Sequence, residues 1–188
     1  MEFWFWFCLL LVFYTYLGYG IVLFLLVKIK KMFVKPRSFN ADFQPPVTLV
    51  IPAFNEEGFI LEKVKNSLEL DYPEDKLRIL FVTDGSNDKT YHLLKEAQGV
   101  EVSHEDRRAG KAAAENRAMT LIDTPIVVFC DANTYLNKDC IKNLVRHYDD
   151  PKVGAVSGEK RVMSSGSDTA SAAGEGLYWK YESALKKW

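Results

Sequence analysis

From Phe3 to Val27 no side chain carries a charge, and the run is crowded with Phe, Trp, Leu, Val and Tyr. Wound as a helix at about 1.5 Å per residue, such a run reaches roughly 37 Å, enough to cross a hydrocarbon core of about 30 Å with some tilt. A cleaved signal peptide wants a basic start, an apolar run of only about 7–15 residues and small residues at a cleavage site. Here Glu2 stands at the start, the run is longer, and Lys28-Ile29-Lys30-Lys31 follows it. A helix packed in a soluble core would show a polar face, and none interrupts this one. Residues 1–27 are therefore read as one transmembrane helix.

Charge then orients it. Lys28, Lys30, Lys31, Lys35 and Arg37 all follow the span, and basic flanks stay on the cytoplasmic side. The amino terminus is expected outside and the rest of the chain on the cytoplasmic face of an inner or plasma membrane, with Trp4 and Trp6 at the outer interface. The net charge of −1 excludes broad electrostatic affinity for nucleic acid. Cys8, Cys130 and Cys140 are odd in number and lack metal-type spacing, which fits reduced cysteines better than a disulfide framework.

Residues 28–46 read as a linker, basic and then polar, closing on Pro45-Pro46. From Val47 a different rhythm begins. Val47–Ile51, Leu77–Val82, a short run at Val100–Val102, and Ile126–Cys130 read as strands, with a last one at Val153–Val156. Between them, helices are expected from Ile60 until Tyr72-Pro73 stops the first, from about Asp88 to Ala97, from Lys111 to about Leu121, and from Lys138 to Tyr148. Strands alternating with helices of about ten residues mean βαβ units and a mostly parallel α/β sheet covered on both faces. Such sheets bind ligands beyond the carboxyl ends of their strands.

Four post-strand segments carry the candidate chemistry. Pro52-Ala53-Phe54-Asn55-Glu56-Glu57 leads from the first strand into a helix and reads equally as a turn with an Asn cap. In Thr83-Asp84-Gly85-Ser86-Asn87-Asp88, Asp84 sits where a carboxylate can accept from a ribose hydroxyl or a base N–H, and the following residues can cap a helix. Arg107, Arg108 and Lys111 cluster at a helix start, where the macrodipole disfavours cations; an anion such as a diphosphate held there accounts for the placement. After the strand ending at Cys130 come Asp131 and Asn133. The chain is expected to be extended here, which puts both oxygen donors on one side of it, where they can hold a divalent ion that bridges diphosphate oxygens.

Taken in order, PAFNEE, TDGSND, RAGKAAAEN and DAN resemble the family 2 glycosyltransferases of GT-A fold, over about Val47 to Arg161. The membrane-bound polysaccharide synthases of that family, of the poly-N-acetylglucosamine, hyaluronan and cellulose types, are the members it is most like. The resemblance implies a Rossmann-like nucleotide-diphospho-sugar transferase domain over residues 47–188. It implies that Pro52, Ala53, Asn55, Glu56 and Asp84 hold the base and ribose, that Lys111 lies near the nucleotide, and that Asp131 with Asn133 positions the sugar diphosphate and its Mg²⁺ or Mn²⁺. It further implies an inverting transfer from a nucleotide sugar, a UDP-sugar, to a growing glycan acceptor.

Three departures qualify it. Asn133 stands where the family often has a second aspartate, and an amide oxygen coordinates with less charge. Thr83 replaces an aspartate that often precedes Asp84. No acidic pair follows Arg161, although Tyr178-Trp179-Lys180-Tyr181-Glu182 resembles the segment that precedes it in polysaccharide synthases. The general base is therefore expected downstream of Trp188, in a chain cut short at its carboxyl end. Two alternatives stand beside this reading: a non-catalytic nucleotide-sugar-binding or assembly subunit whose partner polypeptide supplies the missing half, and a transferase acting on a lipid carrier.

Overall fold

The computed structural model describes residues 1–33, 40, 42–159, 181–183 and 185. Two compact units are present: Phe39–Ser157, and Met1–Ser38 together with Gly158–Trp188.

The second of these contains one unbroken apolar helix. It runs as α1 (Glu2–Phe13), a π-helical turn (Tyr14–Gly18) and α2 (Tyr19–Phe33), and it is long and apolar enough to cross a membrane. Its Phe, Trp, Leu and Val side chains stand exposed around the whole circumference. The helix does not end at Val27. Lys28, Lys30 and Lys31 continue it, because lysine is a good helix former and cations are favoured in a last turn. The linker expected from residue 28 therefore begins later, and Lys35 and Arg37 lie outside the described residues. Gly20 is the buried position of this helix; a Cβ there would stand 2.8 Å from the Tyr181 hydroxyl.

The unit Phe39–Ser157 is built on four parallel strands, β1 (Val47–Ala53), β2 (Leu77–Asp84), β3 (Glu101–Glu105) and β4 (Ile126–Phe129), in the order β3-β2-β1-β4. Alternation along β1 sorts the core. Val47, Leu49, Ile51 and Ala53 pack with Ile60 and Val64 of α3 (Ile60–Leu68), Leu94 of α4 (Thr90–Glu96) and Ile141 and Val145 of α6 (Cys140–Val145). Val50, with Leu80 and Val82 of β2, faces Ala114 and Ala118 of α5 (Lys111–Met119). The alanines keep α5 close to the sheet, and helices on both faces explain why β1 and β2 read as nearly continuous apolar runs.

The first three strands step outward in one direction, and β4 returns to the far side of β1. The order thus reverses between β1 and β4, which places a crevice beyond their carboxyl ends. Several expected elements differ, and α6 gives way to a 3-10 turn at Arg146–Asp149. Helix α3 ends at Leu68, before Tyr72-Pro73, and Val153–Val156 forms no strand. These four residues are only half-buried or exposed, and without ladder partners extended chain is not a strand.

Candidate functional site

A cleft of about 160 Å³ opens at this reversal point, lined by Pro52, Ala53, Phe54, Asp84, Arg108, Gly110, Lys111, Ala114 and Asp131. Six of the residues singled out in the sequence, Pro52, Ala53, Asp84, Arg108, Lys111 and Asp131, meet here. Asn55, Glu56 and Asn133 do not line it. Phe54, Gly110 and Ala114 are additions; nothing in their residue type distinguished them from turn and helix positions.

Asp84, the last residue of β2, is 4% exposed. Its carboxylate accepts the N–H of Gly110 at 2.6 Å and that of Ala109 at 3.1 Å. On its other side, Arg117 stands 4.0 Å away and donates to the Thr83 carbonyl at 2.7 Å. Asp84 therefore ties the 106–110 loop to the sheet as well as facing the cleft. The approach is so close that Gly85, at φ +65°, has no room for a side chain: a Cβ would lie 2.5 Å from the backbone N of Arg108. Gly85→Ala is expected to cost about 2–4 kcal/mol, from left-handed backbone strain plus a clash that no rotamer relieves. A thermal melt within about 2 °C of wild type, where about 4–8 °C per kcal/mol is usual for a small domain, would contradict this.

Farther along the loop, Thr83 Oγ1 and Asp106 Oδ1 engage the two ring nitrogens of His104 at 2.7 and 2.9 Å, and the ring stacks on Tyr91 with centroids 3.7 Å apart. The Arg108 guanidinium lies over the Phe54 ring, 3.8 Å from its centroid. This pairing fixes a cation at the cleft wall without neutralising it.

Asn55 and Glu56 act instead on the neighbouring turn. Asn55 sits at φ +54°, a conformation asparagine tolerates better than most residues. Its side-chain oxygen accepts the Asn87 N–H at 3.0 Å, and its own N–H is given to Ser86 Oγ at 3.2 Å. Glu56 N–H donates to Thr90 Oγ1, Glu57 N–H to Asp88, and Lys89 N–H to Glu57. Burial alone would push the Asp88 carboxyl up, but the Thr90 hydroxyl and the amides of Thr90 and Glu57 outweigh it and hold the group below its usual range. The two turns are thereby stapled together by side chains some thirty residues apart.

Across the cleft, Lys111 Nζ donates to Asp131 Oδ1 at 2.5 Å and lies 3.9 Å from Glu115. The hydrogen bond to Asp131, opposed by desolvation, raises Lys111 above the ordinary lysine value. Residues 131–134 are not extended as expected but form a turn closed by Thr134 N–H on the Asp131 carbonyl at 3.1 Å. Asp and Asn are turn formers, and the turn separates the pair: Asp131 faces the cleft while Asn133 is exposed and does not line it. Among the described residues no group of three or more His, Cys, Asp or Glu side chains is gathered as a metal cage. A single cleft carboxylate still suits Mg²⁺ or Mn²⁺, which bind nucleotides through one or two carboxylates with substrate phosphates completing the shell. The Asp131 side chain is 47% exposed and lines the cleft, so a cation there can reach its carboxylate.

The family model for "Glycosyl transferase family 2" matches residues 48–186, the strands, the cleft and the chain beyond. The chain belongs to glycosyl transferase family 2. Among its relatives, the beta-monoglucosyldiacylglycerol synthase of Nostoc sp. (strain PCC 7120 / SAG 25.82 / UTEX 2576) is 30% identical over 143 residues, covering 71% of this chain and 31% of the relative. The poly-beta-1,6-N-acetyl-D-glucosamine synthase of Staphylococcus aureus (strain MSSA476) is 29% identical over 138 residues, covering 71% and 33%. A mannosyltransferase from Pyrobaculum calidifontis, solved with GDP-Man and Mn²⁺, superposes with a TM-score of 0.69 at 31% identity, over 81% of this chain and 46% of that one. The family 2 chain described here thus has the GT-A fold, and it spans about a third of the length of the curated relatives it matches.

Proposed function

We propose that this chain carries the donor site of an inverting glycosyltransferase that uses a nucleotide sugar, a UDP-sugar, to build a β-linked polysaccharide or glycan at the cytoplasmic face of the membrane. The observation that carries the reading is the meeting of Asp84, Arg108, Lys111 and Asp131 in one cleft at the sheet's reversal point. Pro52, Ala53 and Asp84 offer a wall and a carboxylate to the nucleoside. Arg108 and Lys111 face the diphosphate, with the start of α5 adding its dipole. Asp131, without Asn133, would hold Mg²⁺ or Mn²⁺ together with the phosphates, and the ion would supply charge stabilisation for the departing diphosphate. Lys111 then gives up Asp131 and turns its ammonium to the phosphates. The basic flank of the span, Lys28, Lys30 and Lys31, supports a cytoplasmic domain. No residue of this chain is assigned as the base that deprotonates the acceptor.

The relative named as a glycolipid synthase favours a second acceptor class, a lipid hydroxyl. Partition of radiolabel between lipid extract and insoluble polymer separates the two acceptors. The donor reading itself is tested by calorimetry on the detergent-solubilised chain, with UDP and GDP titrated in Mn²⁺ and in EDTA. UDP is expected to bind more tightly with Mn²⁺ and more tightly than GDP. Equal heats with metal and with EDTA would remove the metal from the site, and preference for GDP would reassign the donor.

A further inference from the structure

Helix α3 lines no part of the cleft, yet one of its faces grips the chain leading out of it. Lys63 is 1% exposed, and its Nζ donates to the Thr134 carbonyl at 2.5 Å and lies 3.1 Å from Cys130 Sγ. One turn on, Asn66 makes a reciprocal pair with Leu136: its Nδ2 donates to the Leu136 carbonyl and its Oδ1 accepts the Leu136 N–H, both at 2.9 Å. Glu62 accepts the Tyr135 hydroxyl. Three consecutive residues, Thr134 at the end of the Asp131 turn and Tyr135 and Leu136 after it, are thus held by Lys63, Glu62 and Asn66, the i+1, i and i+4 positions of one helix.

Burying a lysine is expensive, and an unbranched apolar side chain such as methionine could fill the same space without that cost. What methionine could not do is donate to Thr134. That carbonyl belongs to the residue whose N–H closes the turn on Asp131, so fixing it fixes the direction in which Asp131 enters the cleft. We infer that Lys63 and Asn66 are positioning residues for metal-dependent nucleotide binding, acting through the backbone of residues 131–136. The inference rests on the reading of Asp131 as the donor-site carboxylate.

The test uses the full chain in detergent with Lys63→Met and Asn66→Ala, and reads UDP affinity in Mn²⁺, UDP affinity in EDTA, and amide exchange of peptides covering 130–137. Loss of a group that orients a metal ligand typically costs about 10–100-fold in metal affinity. Lys63→Met is therefore expected to weaken UDP binding in Mn²⁺ about tenfold or more and to leave binding in EDTA nearly unchanged. Exchange should accelerate over 130–137 and stay slow in β1 and β2. Asn66→Ala should move all three readouts in the same direction by less, and being only partly buried it carries the test if Lys63→Met fails to fold. The inference is overturned if the folded variants keep wild-type Mn²⁺ dependence. It is equally overturned if affinity falls in parallel with and without metal, the pattern of a merely structural contact. If wild type itself shows no Mn²⁺-dependent UDP binding, the reading of Asp131 as a metal-holding carboxylate fails and takes this inference with it, whereas an Mn²⁺-dependent wild type with unaffected variants removes the positioning role alone.

Discussion

Asp131→Ala is expected to weaken UDP binding in Mn²⁺ about a hundredfold, the upper end of what losing even an outer-shell partner of a metal costs, while binding in EDTA holds or improves. The opposite signs come from the Lys111–Asp131 pair. In the free protein Asp131 occupies the Lys111 ammonium at 2.5 Å, so removing the carboxylate leaves a cation free to face the diphosphate. Removing the same carboxylate takes away the anionic oxygen that a divalent ion would share with the phosphates. Parallel titrations in Mn²⁺ and EDTA read both effects in one preparation. A variant that weakens equally in both conditions would mean that Asp131 touches the nucleotide or its fold rather than a metal.

Asp84→Ala is the change expected to cost the most stability, about 3–5 kcal/mol, the range for removing one partner of a buried charge pair. Three groups lose their acceptor or counter-charge at once: the N–H of Ala109, the N–H of Gly110, and the Arg117 guanidinium. The 106–110 loop, tied to the end of β2 through Asp84, should then open, taking Arg108 and Lys111 from the cleft. Denaturant unfolding measures the first effect. The second appears as loss of UDP binding in EDTA as well as in Mn²⁺, which separates this variant from Asp131→Ala. Asp84→Asn should recover part of the loss, because Oδ2 alone accepts both backbone N–H groups and one amide oxygen can do the same, while the charge that faces Arg117 stays lost. A melt unchanged from wild type would show that the loop is held by something other than Asp84.

What could be read from the chain beforehand follows from the range of the forces involved. The amino-terminal apolar helix depends on a local property, twenty-five uncharged residues in a row. The strands and helices were legible because burial on both faces of a parallel sheet writes apolar runs and 3.6-residue spacing directly into the chain. That Pro52, Ala53, Asp84, Lys111 and Asp131 would gather at one cleft was legible because each ends or follows a strand, or opens a helix, at the end of the sheet where its order reverses. The helix runs on past Val27 to Phe33 because charge marks where an apolar run ends, not where a helix does.

Tertiary structure alone decided the rest. That Asn55 braces the second loop rather than facing the cleft depends on Asn87, 32 positions away. Which of Asp131 and Asn133 enters the cleft depends on a turn whose carbonyl is held by Lys63, 71 positions away. A buried lysine looks in sequence like any solvated helix cation, and only the packing of α3 against the end of β4 makes it a donor to Thr134. The apolar helix and the parallel sheet that follows it were determined residue by residue from local composition. How that sheet holds its cleft open was not, because side-chain hydrogen bonds across dozens of residues leave no period in the sequence.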